Sequence, residues 1–153
     1  VNGSSTDRVL SVVFRLGSET YVLPAADVIK IIETKRINRL PRLPEPILGI
    51  TQHRGRVVTV VDLHAVLFGP SASGGVDRPV PKHVLLLDRG QRNAGIIADV
   101  IEEIAPVRLG GSRPGPVEAL KIVQHRGRAV SAIVTDALLH AIEALGGAQP
   151  EPL

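Results

Sequence analysis

An all-β fold, built as a pair of small barrels, is what this sequence predicts. Three observations point there: one segment recurs once, the apolar stretches are short and bounded by Gly and Pro, and the clearest strand is β-branched throughout. The recurrence is Gln52-His53-Arg54-Gly55-Arg56 and Gln124-His125-Arg126-Gly127-Arg128, an offset of 72 residues. At the same offset Ala26-Asp27-Val28-Ile29 returns as Ala98-Asp99-Val100-Ile101, and Ile32, Val58 and Leu67 fall on Ile104, Val130 and Leu139. Two matches at one offset, with only two copies, read as a two-fold repeat rather than an array. The repeat sets one domain over 8–145, with copies at about 8–70 and about 80–142 and flexible tails at 1–7 and 146–153.

Each copy has the same plan. It opens with a strand, Val9–Leu16 or His83–Asp88, then a Gly turn at Gly17-Ser18 or Arg89-Gly90. A second strand comes next, Thr20–Leu23 or Ala94–Ala98. The Ala-Asp-Val-Ile segment continues as a strand or a short helical turn, since its apolar positions fit either period. Pro fixes φ and removes a donor, so Leu40–Pro46 and Gly110–Pro116 read as loops or edges. Ile47–His53 and Arg56–Val61 form a hairpin turning at Arg54-Gly55, where Gly55 supplies positive φ. Val57–Val61 lacks alternation, which predicts burial on both faces. Asp62 caps a short helix, Leu63–Phe68, stopped by Gly69-Pro70. In the second copy Ala129–Val134 is the strand and Thr135 or Asp136 the cap. The last helix is longer, with Leu138, Leu139, Ile142 and Leu145 on one face and Gly146-Gly147 as its stop.

Composition narrows the function. The chain has 153 residues, 44% of them hydrophobic, enough for one aliphatic core. Only 2% are aromatic (Phe14, Tyr21 and Phe68), and cysteine is absent, which excludes disulfides, thiol chemistry and Cys-ligated zinc. Net charge is +3, too modest to demand nucleic acid. No apolar run reaches the ~18 residues that span a bilayer. The polar start Val1–Asp7 has no apolar signal-peptide core, so a soluble cytoplasmic protein is the default. The missing initiator Met reads as a trimmed or processed form.

No Walker A loop, G-x-G-x-x-G, H-E-x-x-H or G-x-S-x-G is present. His53 and His125 recur, either as metal ligands meeting across a pseudo-two-fold axis or as repeated hairpin residues. Spacing places no third ligand, so no metal and no cofactor is expected. Asp62, Asp88, Asp99 and Asp136 sit at strand ends, where capping and turn roles are usual. A small barrel with the basic stretch Lys35–Arg42 is an alternative, nucleic-acid-binding reading. Base stacking needs aromatic platforms, and this chain has almost none. Arg54 and Arg126, beside turn glycines, suit either contact with a partner's carboxylate or a solubilising role.

Phe14-Arg15-Leu16-Gly17-Ser18-Glu19-Thr20-Tyr21 resembles the opening F-x-L-G-x-E-x-Y of CheW-like domains. Ile37–Pro41 with Pro44–Ile50, Arg54-Gly55 with Val57–Leu63, and Gly95–Val100 resemble three further motifs of that family, in order, over about residues 9 to 140. The resemblance implies two intertwined five-stranded barrels and a non-enzymatic adaptor of chemosensory signalling. Such adaptors couple the cytoplasmic tip of a chemoreceptor, a methyl-accepting chemotaxis protein, to the regulatory domain of a CheA-type histidine kinase. Other CheW-like domains, assembled in rings, are further implied partners. Nucleic acid and direct membrane insertion are not. The runner-up reading within the family is a CheW-like regulatory domain cut from a larger kinase or coupling protein. By position, Val28, Ile31, Arg54, Ile97 and Ile101 lie at or near a receptor-binding groove, and Gly49 and Gly55 shape the hairpin beside it. Lys30 stands where the family often has an acidic residue. Gln52 and His53 replace the usual Asn and an apolar residue, and Thr59 the usual Pro. Lys30, His53 and Arg126 are therefore the candidate specificity residues of a divergent paralogue.

Overall fold

β1 (Arg8–Leu16) and β2 (Glu19–Pro24) fold back on each other over Gly17, whose φ is +63°. The structure is a computed structural model, described over residues 8–39, 45–69, 72 and 80–146. The expected tail 1–7, residues 147–153 of the other tail, the loop residues 40–44 and the helix-stop residues Pro70 and Gly147 lie outside the described residues. The Ala-Asp-Val-Ile segment takes both of the forms its periodicity allows. Ala25–Asp27 is a 3-10 turn, and β3 (Val28–Glu33) comes directly after it. After a second 3-10 turn, Thr34–Arg36, the hairpin β4 (Ile47–His53) and β5 (Arg56–Val61) leads into α1 (Leu63–Phe68). Asp62 caps α1 as expected, accepting from the backbone N–H groups of His64 and Ala65.

The second half repeats the plan. β6 (His83–Arg89) and β7 (Arg92–Ala98) form its hairpin, and β8 (Val100–Arg108) comes next. A two-residue strand β9 (Arg113–Pro114) lies in the stretch read as a connection. β10 (Leu120–His125), β11 (Arg128–Ile133) and α2 (Thr135–Gly146) complete the described chain. The two side chains expected to cap α2 bind across the fold instead. Thr135 donates its hydroxyl to Asp27 at 2.7 Å, and Asp136 accepts from Arg89 Nε at 2.8 Å. Arg89 also donates to Asp27, so the first 3-10 turn, the end of β6 and the start of α2 meet at one buried carboxylate.

The halves exchange strands. One sheet runs β8-β1-β2-β11-β10-β9, the other β3-β6-β7-β5-β4. Each copy's opening hairpin is therefore completed by the other copy's strands, through a short parallel pairing of β2 with β11 and of β7 with β5. Both sheets curl, giving the two intertwined barrels, with β9 as a sixth strand on the first. The main core lies between them: Phe14, Tyr21 and Leu23 from one sheet meet Leu85, Leu87 and Ile96 from the other, under Leu63 and Leu138 of the helices. A smaller core of Val13, Val22, Val107, Val123 and Val130 fills the first barrel. Val57 is 55% exposed and Thr59 half-buried, so continuous burial of β5 holds only at Val60 and Val61.

Backbone pairing corrects the repeat alignment. Phe14 pairs with Tyr21 and with Ile101; Leu87 pairs with Ala94 and with Val28. Val28 thus corresponds to Ile101, one residue beyond the offset of 72 that the sequence match suggests. That offset holds for the β4–β5 and β10–β11 hairpins, since His53 pairs with Arg56 and His125 with Arg128.

Candidate functional site

β3 and β8 are edge strands of their sheets, and each carries one bulge. In β3 the pairing jumps from Val28↔Leu87 to Lys30↔Leu86, leaving Ile29 as the extra residue. In β8 it jumps from Ile101↔Phe14 to Glu103↔Val13, leaving Glu102. A bulge shifts the later side chains by one position, so residues three apart share a face. Ile31 pairs with Leu85, and Leu85 and Leu87 face the main core; Val28 and Ile31 therefore share that face. Likewise Ile101 and Ile104 pair with Phe14 and Val12.

Val28 and Ile101 pack partly buried against the core, while Ile31 is 36% and Ile104 56% exposed. Two register-equivalent strands thus border the main core with apolar side chains left uncovered by the described residues. Three of the five expected groove residues, Val28, Ile31 and Ile101, lie there. Ile97 does not: it is 2% exposed, a core residue with no surface to offer. Ile104 belongs with Ile31, which the sequence offset hides by aligning it with Ile32.

Lys30 and Glu103, the residues after each bulge, pair with Leu86 and Val13. Glu103 is held by the β10–β11 hairpin. Arg126 grips its carboxylate in bidentate fashion, Nε and Nη2 each at 2.8 Å, and His125 Nε2 lies 3.0 Å away. The Arg126 and His125 bonds pull its pKa down to about 2. Hence Glu103 stabilises the fold fully above the ordinary carboxylate range, and the contribution is lost as pH falls through about 2. The melting-temperature advantage of wild type over Glu103→Gln should be complete at pH 7 and shrink between about pH 4.5 and 2. An advantage that survives unchanged at pH 2 would rule the ion pair out as its source.

Both hairpins turn through an Arg in the left-handed region: φ is 52° at Arg54 and Arg126, 78° at Gly55 and 80° at Gly127. Two consecutive positive φ values are what a type I′ turn requires. The sequence pattern predicts that conformation for Gly55 alone. The non-glycine residue costs about 1–2 kcal/mol. Arg54 is exposed and has no ion pair with a described residue, unlike Arg126. His53 and His125 belong to different sheets, and among the described residues no three His, Asp or Glu gather as a metal site. Gly49 is required by close approach. The stretch after β3 bridges back to β4 through Asn38 and Ile50, and a Cβ on Gly49 would collide with the Asn38 carbonyl oxygen.

Comparison with known proteins fits this geometry. The CheW-like domain model matches residues 11–136. The chemotaxis protein CheW of Klebsiella aerogenes is 29% identical over 113 residues, covering 72% of this chain and 64% of the relative. Protein FrzA of Myxococcus xanthus is also 29% identical, covering 73% and 68%. The chain thus spans about two thirds of the length of these curated relatives. The crystal structure of the scaffolding protein TtCheW from Thermoanaerobacter tengcongensis superposes with a TM-score of 0.68 at 25% identity, over 82% of this chain and 84% of that one. With its strand-exchanged sheets, its repeated hairpins and a family match over most of its length, the chain belongs to the CheW-like domain family.

Proposed function

We propose that the chain is a non-enzymatic adaptor that couples the cytoplasmic tip of a chemoreceptor to the regulatory domain of a CheA-type histidine kinase. The observation that carries this is the pair of bulged edge strands. They leave Ile31 and Ile104 exposed beside the partly buried Val28 and Ile101 at the main core. Such a lining suits an amphipathic helix, whose apolar anchors supply affinity while charges at the rim set its register. No helix among the described residues is long and apolar enough to cross a membrane. In this reading, placement at membrane arrays comes through the receptor.

The test is binding of the purified chain to a receptor tip hairpin and, separately, to the kinase regulatory domain. Ile31→Asp should weaken receptor binding at least about tenfold, as expected when a central apolar anchor is lost. It should leave kinase binding and the circular dichroism spectrum unchanged, since Ile31 is already part exposed. Val28→Asp should do the same, provided its spectrum shows that it folds. Normal receptor binding by a folded Ile31→Asp variant would remove this groove from the proposal.

A further inference from the structure

β1 and β8 meet with two arginines face to face. Arg8 pairs with Arg108 on the outermost rung of their ladder. Residues directly opposite in an antiparallel pair share a face, with Cα atoms about 5 Å apart, and like charges there repel. Both arginines are exposed, and neither makes an ion pair or a side-chain hydrogen bond with a described residue. The acids of β8 do not relieve them: Glu102 is held by Arg15 and Arg128, and Glu103 by Arg126 and His125. The rung opens on a cavity of about 500 Å³ between β8 and the tip of the β10–β11 hairpin. β9 covers β10 only at Lys121 and Ile122, so no ladder fills the seam between β8 and that tip. Arg126, His125 and Gln124 line the cavity with the two arginines, and Pro106 is on its apolar side. No acid among the described residues lines it.

We propose that Arg8 and Arg108 bind the phosphate group of a small phosphorylated molecule, whose remainder lies in the cavity along Pro106 and Gln124. A single guanidinium saturates a carboxylate, as Arg126 does on Glu103 with two bonds of 2.8 Å. Two facing guanidiniums call for an anion with more acceptor oxygens. A phosphate takes a fork from each strand at once, and the repulsion across the rung becomes attraction to a shared centre. The volume is in the range of small-molecule sites, well beyond what a bare phosphate fills. The site belongs to the first sheet and Arg54 to the second, and it stands whether or not the adaptor reading does.

Two measurements test it. Inorganic phosphate, and separately acetate, is titrated into the isotope-labelled full chain at constant ionic strength while the Arg side-chain Nε–H signals are monitored. Phosphate should give saturable shifts at Arg8 and Arg108 and none at Arg54, an exposed arginine without an opposed partner. Arg8→Gln should weaken the response at Arg108 at least about tenfold, the loss expected when one charged hydrogen-bonding partner is removed. Absent or unsaturable shifts, equal shifts at Arg54, or an acetate response matching that of phosphate would each overturn the proposal. The second measurement is melting temperature with and without phosphate. Without it, Arg8→Gln should be at least as stable as wild type, because the variant relieves a like-charge pair. With it, wild type should rise and the variant should not, since only wild type gains from the bound anion. A variant that melts below wild type in phosphate-free buffer, or that gains as much from phosphate, would show that the arginine pair is not a binding site.

Discussion

Phe14→Ala should destabilise the fold by about 3–5 kcal/mol, the range for truncating a fully buried aromatic ring. That is a fall in melting temperature of roughly 10 °C for a chain of this size. Phe14 is 0% exposed and stacks on Tyr21, with ring centroids 5.5 Å apart and planes 26° apart. Tyr21 in turn lies 5.8 Å from His64 of α1. Burial raises the pKa of the Tyr21 phenol, with Glu19 adding to the effect. The pair sits in the core between the sheets, where aliphatic side chains from both halves meet it. With 2% aromatic residues, the chain has little to refill the hole. Phe14→Leu, which conserves much of the volume, should cost less than about 1.5 kcal/mol. Melting curves of the two variants check this. An Ala variant within about 1 kcal/mol of wild type would mean that the sheets close over the gap.

Gly49→Ala is the second large effect. A Cβ at Gly49 would overlap the Asn38 carbonyl oxygen and lie 2.7 Å from Ile37 Cγ2. The oxygen belongs to backbone that exchanges two hydrogen bonds with Ile50, at 2.7 and 2.9 Å, so it cannot swing aside freely. Overpacking of this kind costs about 1–3 kcal/mol, and the rigid backbone neighbour puts this site at the upper end. The expected result is a melting temperature lower by several degrees, with faster amide exchange at Asn38 and Ile50 than elsewhere in the second sheet. Gly55→Ala makes a control of different character. No atom lies within 4 Å of its added Cβ, so its cost comes from the positive φ alone. Exchange at Asn38 that does not change in Gly49→Ala would refute the collision.

Much of the architecture is legible in the order of residues alone. Gly17, Gly55 and the Asp62 cap announce their turns and helix, because those residue types have local causes for standing where they do. The two-fold plan comes from identical hairpin residues. The bulges leave no such trace. Nothing local in Ile29 or Glu102 says that it will be skipped by its partner strand; only long-range pairing decides. One skipped residue then alters every later face assignment in β3 and β8. It hides Ile104 as the counterpart of Ile31 and Glu103 as the counterpart of Lys30. Ile97 is assigned to the groove for a different reason. It lies in β7, which has neighbours on both sides, and an apolar residue in a motif match carries no mark of burial.

The exchange of strands between halves also imposes an order on biosynthesis. The whole second sheet is contained in residues 28 to 98, so it has every strand once β7 has left the ribosome. The first sheet has β1 and β2 from the outset, yet its remaining strands begin only at Val100 and end at Ile133. A nascent chain stalled after β7 would hold every strand of the second sheet and only the opening hairpin of the first. Severing the chain between the two repeats would leave neither half able to complete a barrel from its own strands.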